Sequence, residues 1–290
     1  MRGLLMLGGL AVVLAAAGGA GRAADDEAYD LRGPAPKKGQ VFVSKGTLKI
    51  KDADTALKIM GMEIKLKMTM NASSEEEAKV LAVDGRNVTK CQTKMIKEVM
   101  EVSADIGGEP MTIPSELQGE IIISERIGEN KWKHSLVDTQ PSEKQKKDLD
   151  NRNGIENDDD LYPKEKVKVG AKWKVDAKAL TKMLGNSFTD IKGELDQTFT
   201  KTEEIDGQKC AVVESSGTVK GKMKDDDGMP TLDVELELKV TTWKAIETGV
   251  AVKEKFDGKI RMKGTQKIED AKAEIDLSGP ISGESTTKMK

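Results

Sequence analysis

His134 is the only histidine in the chain, within Trp132-Lys133-His134-Ser135. A Ser/His/Asp hydrolase or an imidazole acid–base would have to run through it. The residues around it alternate as a strand does, and no Gly-x-Ser-x-Gly turn exists to present a nucleophile. The reading is an ordinary histidine on a sheet surface and an empty catalytic set. One histidine and two distant cysteines do not supply the usual ligands of a transition metal. Asp148-Leu149-Asp150-Asn151-Arg152-Asn153-Gly154, followed by Asp158 to Asp160, resembles a calcium loop in composition. With Gly154 at the sixth position, Leu149 falls where a carboxylate is required, so the segment reads as a solvated charged linker. Carboxylates are abundant, but no spacing pairs two of them for glycosidase chemistry. No phosphate-cradling glycine loop is present. The expectation is therefore no enzyme, no cofactor and no metal.

Cys91 and Cys210 lie one in each half of the chain. Two readings stand: a disulfide, which export would permit, or two buried thiols acting as small apolar residues. Asn71-Ala72-Ser73 and Asn87-Val88-Thr89 match the glycosylation pattern, which matters only in a eukaryotic secretory pathway.

The elements that would position any site are strands. In Met60-Gly61-Met62-Glu63-Ile64-Lys65-Leu66-Lys67-Met68-Thr69-Met70, the apolar residues fall on even positions and mostly polar ones fall between. Side chains alternate across a strand, so Met60, Met62, Ile64, Leu66, Met68 and Met70 would share one shielded face while Glu63, Lys65 and Lys67 stay wet. Leu232, Val234, Leu236, Leu238 and Val240 alternate with Asp233, Glu235, Glu237 and Lys239 in the same way. Aromatics are 3% of the chain against 14 methionines, so the core must be aliphatic and soft.

Residues 1–23 read as a signal peptide: Arg2, an uncharged run from Leu4 to Ala17, then small residues ahead of cleavage after Ala20 or Ala23. The run is too short for a spanning helix, no cysteine follows it, and no later segment is apolar enough to cross a membrane. Residues 24–38, with Pro34 and Pro36, read as a flexible leader. A first β-rich half spans 39–137, a charged linker with one short helix from Ser142 spans 138–166, a second β-rich half spans 167–281, and 282–290 is a polar tail. Asp52-Ala53-Asp54, Ser73 to Glu77, Asp84-Gly85, Asp206-Gly207 and Asp257-Gly258 read as turns. Asp176 caps a second short helix. The halves invite comparison as an internal repeat: Gly39/Gly170, Phe42/Trp173, Glu63/Glu194 and Thr69/Thr200 share one interval. The fold class is mainly β, with antiparallel sheets in two similar halves of a curved half-barrel or open barrel and one or two short helices.

Tyr162-Pro163, Val167-Lys168-Val169-Gly170-Ala171-Lys172-Trp173 and Ile205-Asp206-Gly207 together resemble a poorly characterised family of secreted bacterial β-rich proteins of unknown function. Those proteins carry a signal peptide, a glycine-led strand in each half and a mid-chain Val-x-Val-Gly-x-x-Trp segment. The resemblance implies secretion and transfers no catalytic residue. In architecture the pattern also looks like the half-barrels of periplasmic lipoprotein carriers, where a curved antiparallel sheet wraps an apolar groove.

With 47 basic and 50 acidic residues, nucleic acid is not an expected partner. The leading expectation is an exported, periplasmic or extracellular, non-enzymatic binding protein. Met60, Met62, Ile64, Leu66, Met68 and Met70 would line a site for a lipid, an acyl chain or an envelope protein segment. The alternative is a structural or protein-interaction module of the cell envelope with no small ligand.

Overall fold

The computed structural model describes residues 27–129, 131–184, 187–224, 230–268 and 271–290. The expected signal peptide, 1–23, lies outside the described residues. The chain forms β1 (Val41–Ile59), β2 (Met62–Asp84), β3 (Asn87–Ala104), β4 (Met111–Pro114), β5 (Ile121–Gly128) and β6 (Lys131–Leu136). After α1 (Glu143–Asp150) come β7 (Lys172–Asp176), α2 (Ala177–Leu184), β8 (Phe188–Ile205), β9 (Gln208–Lys224), β10 (Pro230–Ala245), β11 (Ala251–Ile268) and β12 (Ala271–Met289). All pair antiparallel in one sheet of order β6-β5-β3-β2-β1-β12-β11-β10-β9-β8-β7, with β4 off this path beside β3. The two halves thus join along β1 and β12 rather than packing as separate sheets. One core cluster unites Met70, Met100 and Ile50 with Phe188, Met223, Leu236 and Ile260. The sheet therefore curls around one interior face, as an open half-barrel does.

Register shows which residues share that face. Ile50 lies opposite Met70, Leu48 opposite Ala72, Ser44 opposite Glu76 and Phe42 opposite Ala78. On β2 the even residues from Met62 to Ala78 share one side of the sheet, and those from Met70 onward line the interior. Both short helices form as their polar starts require. The Ser142 hydroxyl accepts from Gln145 N–H, and the Gln145 side chain returns to the Ser142 N–H. Asp176 Oδ1 accepts from Ala179 N–H at 3.1 Å.

Several expected turns are strand interior. Ser73 to Glu77 continues β2 without interruption, because alternation carries the polar residues to the outer face and Glu76 inward. Asp52-Ala53-Asp54 is a bulge within β1, where Asp52 adopts φ 48° and the pairing shifts between Ile50 and Ala53. Asp257 and Gly258 sit inside β11, opposite Lys239 and Leu238. Glycine serves there because a Cβ would meet the Glu237 carbonyl oxygen at 1.9 Å. Asp206-Gly207 is a tight turn with both φ positive, as expected. At the β2–β3 hairpin the turn is Gly85-Arg86, since Asp84 still pairs with Asn87.

Neither end of the described chain behaves as a loose segment. Tyr29 and Leu31 are buried, and Tyr29 exchanges both backbone hydrogen bonds with Val167 at 2.9 Å. Gly33 crosses so near Gly249 that a Cβ would lie 2.3 Å from its Cα. Residues 282–289 complete β12 against β1, from Ser282 opposite Lys49 to Met289 opposite Phe42.

The two halves share one local hydrogen-bond pattern. Gly39 (φ 92°) donates to Val80 O at 2.9 Å, and Gly170 (φ 91°) donates to Phe199 O at 2.7 Å. Val80 and Phe199 return bonds to Gln40 and Ala171. Val80 therefore matches Phe199, and the shared interval does not extend to Glu63/Glu194 or Thr69/Thr200. β7 is far shorter than β1, with α2 taking up the connection to β8.

Candidate ligand cavity

The methionine strand is where a site was expected from residue types. Met62, Ile64, Leu66, Met68 and Met70 lie on one side of β2, opposite Ile59, Leu57, Thr55, Ala53 and Ile50 on β1, while Met60 sits in the β1–β2 turn at φ 51°. Their shielding is graded rather than uniform. Met60 is 84% exposed, Met62 68% and Ile64 41%, Leu66 and Met68 are half-buried, and Met70 is 3% exposed. The β1–β2 hairpin projects beyond the strands that cover the interior, so the expected shielded face becomes an apolar lip at its tip. Ile106 and Met111, on the β3–β4 connection and the start of β4, are exposed as well.

The enclosed space lies toward the other end of the same face. A cavity of about 370 Å³ opens between the sheet and two covering segments. Phe42, Ser44, Glu76, Ser124, Glu254 and Thr287 form its sheet wall. The covers are the segment from Arg32 to Pro36 and a strap from Arg152 to Asp159, both placed in flexible or linker sequence by composition.

The strap is held by ion pairs rather than solvated. Asp159 grips Arg86 through two bonds, Nε–Oδ2 at 2.5 Å and a second guanidinium nitrogen to Oδ1 at 2.8 Å. Arg86 also donates to the carbonyls of Arg32 and Gly33, which ties both covers to the β2–β3 turn. Glu156 accepts from Arg126 at 2.7 Å and from Trp132 Nε1 at 2.6 Å. Arg152 pairs with Glu98, and Asp158 pairs with the fully buried Lys244. The Lys244 ammonium also stands 4.3 Å over the Tyr162 ring. Each strap acid thus meets a cation rooted in the sheet, which corrects the reading of a solvated linker.

His134 belongs to this fastening. The Arg152 carbonyl lies 3.0 Å from Nε2, and a carbonyl can only accept, so Nε2 carries the proton. Nδ1 then accepts from the Ser124 hydroxyl at 2.8 Å. Burial pushes the imidazole below its ordinary pKa and keeps it neutral. The ring is half-buried and joins the strap to the β5–β6 pair, where a sheet-surface residue was expected.

Two sheet carboxyls face the enclosed space. Burial pushes Glu254 up to about 7, with the Asp158 charge adding to the rise and Lys244 opposing it. Its carboxyl accepts long bonds, 3.4 Å each, from the Thr242 and Ser285 hydroxyls. Burial also raises Glu76, against the pull of Arg152 and with a push from Glu98. Glu254 further walls a second, inner cavity of about 50 Å³ with Tyr162, Leu195, Gln197, Leu236 and Thr242. Gln197 is 5% exposed, and its Oε1 accepts no hydrogen bond.

Sequence reading did not single out Glu76 or Glu254, although a signal existed. On β2 the even positions Met70, Ala72, Ala78 and Val80 are buried, and on β11 so are Phe256, Ile260 and Met262. A glutamate on the apolar parity of each strand points inward. Cys91 and Cys210 are free buried thiols in separate clusters, one with Val80 and Trp132, the other with Val212 and Trp243. The structure therefore has no Cys91–Cys210 disulfide. Among the described residues, no three His, Cys, Asp or Glu side chains are grouped to hold a metal.

No family model matches the chain. No curated protein matches it either. Among solved structures, it is similar to an outer membrane channel from Pseudomonas putida F1 at 10% identity, over 89% of this chain and 97% of that one, with a TM-score of 0.27. A DUF1329 family protein from Desulfovibrio piger matches at 10% identity over 86% of this chain and 84% of its own, with a TM-score of 0.14. A putative outer membrane lipoprotein-sorting protein domain from Vibrio parahaemolyticus matches at 12% identity over the same shares, with a TM-score of 0.16. Scores this low carry no argument about function, which rests on the geometry above.

Proposed function

We propose that this is an exported, non-enzymatic binding protein of the cell envelope, and that its ligand occupies the strap-covered cavity rather than the Met60–Met70 face. The observation that carries the reading is the cavity of about 370 Å³, which joins apolar walls from Phe42, Ala78, Ile122 and Val250 to a few inward polar groups. That mixture suits a small ligand with an apolar body and a polar end. Export rests on the signal-like residues 1–23. The absence of catalysis rests on His134, whose two ring nitrogens are both engaged in fastening the strap.

A second reading is favoured by the exposed apolar lip of Met60, Met62 and Ile64. It makes the protein an interaction module with no small ligand. Native mass spectrometry of gently purified protein separates the two. A stoichiometric small molecule that is lost when Ala78→Trp fills the cavity supports the carrier. A clean apo mass from the native host, together with self-association that Met62→Ser abolishes, overturns it in favour of the interaction module.

A further inference from the structure

The charged groups around the cavities divide cleanly. The strap acids Glu156, Asp158 and Asp159 are neutralised by Arg126, Lys244 and Arg86. Of the other guanidinium groups on the outer wall, Arg152 pairs with Glu98 and Arg32 stands 3.5 Å from Asp30, while the buried Nε of each meets no acceptor. Glu76 and Glu254 are different. Neither has a cation at ion-pair distance among the described residues, and the Glu254 carboxyl is met only by two long hydroxyl bonds. The inner cavity adds an independent vacancy of the same kind. Gln197 Oε1 is a buried acceptor without a donor, and it shares that cavity with Glu254. A buried acceptor left unmet is costly and calls for a donor in the occupied state.

In the inner cavity the open groups are acceptors, the Glu254 carboxyl and Gln197 Oε1, whereas the unmet donors, Arg32 Nε and Arg152 Nε, belong to residues of the outer wall. The complementary group donates several hydrogen bonds and carries positive charge, as a primary ammonium does. The surrounding walls are apolar: Phe42, Ala78 and Ile122 outside, Leu195, Leu236 and Leu238 within. Glu254 stands on the boundary of both spaces.

On the footing that the strap-covered cavity is the ligand site, we propose that its ligand is a primary amine on an apolar body, with Glu254 as its ion partner at the junction of the two cavities and Glu76 as a second carboxylate on the outer wall. The amine favours the charged form of each glutamate, which burial otherwise disfavours, and its N–H groups reach acceptors that the fold leaves open. An alkyl body then lies against the apolar walls.

The test is calorimetric titration of the full chain at pH 7.5 with octylamine, octanol and octanoate, in wild type, Glu254→Gln and Glu76→Gln. The expected order is amine tighter than alcohol by about tenfold or more, and carboxylate weakest. Glu254→Gln should bring the amine down to the affinity of the alcohol while leaving the alcohol unchanged, and Glu76→Gln should do so in smaller measure. Equal affinity for amine and alcohol, tighter carboxylate binding, or an amine affinity indifferent to Glu254→Gln would overturn the proposal while leaving the cavity reading in place. Failure of all three compounds to bind would overturn both.

Discussion

Replacing Glu254 by Gln should stabilise the protein at alkaline pH and do little at acid pH. The folded state holds a proton on Glu254 up to about pH 7, because burial and Asp158 disfavour its charge. In an unfolded chain a glutamate releases its proton near pH 4.3. Between those values the folded wild type binds one proton more than the unfolded chain, so stability falls as pH rises, by about 1.4 kcal/mol per unit. The contribution is complete below the unfolded value and lost as pH rises through about 7. Over that interval it amounts to roughly 4 kcal/mol. Glutamine has nearly the same shape, accepts from one of the Thr242 and Ser285 hydroxyls while donating to the other, and does not titrate. Urea unfolding from pH 4 to 9, followed by tryptophan fluorescence, measures the difference between the two proteins. Subtraction cancels Glu76, which is shifted in the same direction, and His134, which is shifted in the opposite one. The variant should match the wild type at pH 4 and exceed it by roughly 3–4 kcal/mol at pH 8.5. A difference that does not change with pH, or a wild type that gains on the variant as pH rises, would refute the placement of this carboxyl in a water-poor wall.

The exposure gradient along the first hairpin should appear as a gradient of cost. In urea unfolding, Ile50→Ala should lose about 2–5 kcal/mol, Leu66→Ala about 1 kcal/mol and Met62→Ala within about 0.5 kcal/mol, and equal losses would reject the graded burial. Asp159→Asn removes one charge from the bidentate pair with Arg86 and should cost about 1–3 kcal/mol. Hydrogen exchange should then quicken at the bonded amides of Arg152, Leu161 and Tyr162 before it quickens in β10, and uniform exchange would show that the strap does not open by itself.

Alternation was the most legible property of the chain, and it located the inward faces of β2 and β10 from residue types alone. It could not set the strand ends, because a strand tolerates polar residues wherever they fall outward. Ser73 to Glu77 and residues 282–289 therefore read as turn and tail. It also could not give coverage. Met62 and Met70 have the same parity, yet only the neighbours that a curled sheet supplies decide that one is wet and the other is core. The strap was hidden for a related reason. A run rich in acids looks solvated until its cations are found, and Arg86, Arg126 and Lys244 lie far from it in sequence. Glu76 and Glu254 were within reach, since each breaks the apolar parity of its own strand.

The seam between β1 and β12 bears on how the chain reaches this state. The two strands pair from Phe42 with Met289 to Ile59 with Ala273, and Lys290 N–H still bonds to Val41 O at 2.9 Å. Partners roughly 200–250 residues apart must meet at the middle of the sheet, not at its margin. Until the last strand arrives, β1 has one open edge of unpaired backbone and the two halves are separate sheets, each with a raw side. Because β12 follows every other strand of the sheet in the chain, the seam closes only after all of them have been made, and joining the two halves is a late event in the life of the polypeptide.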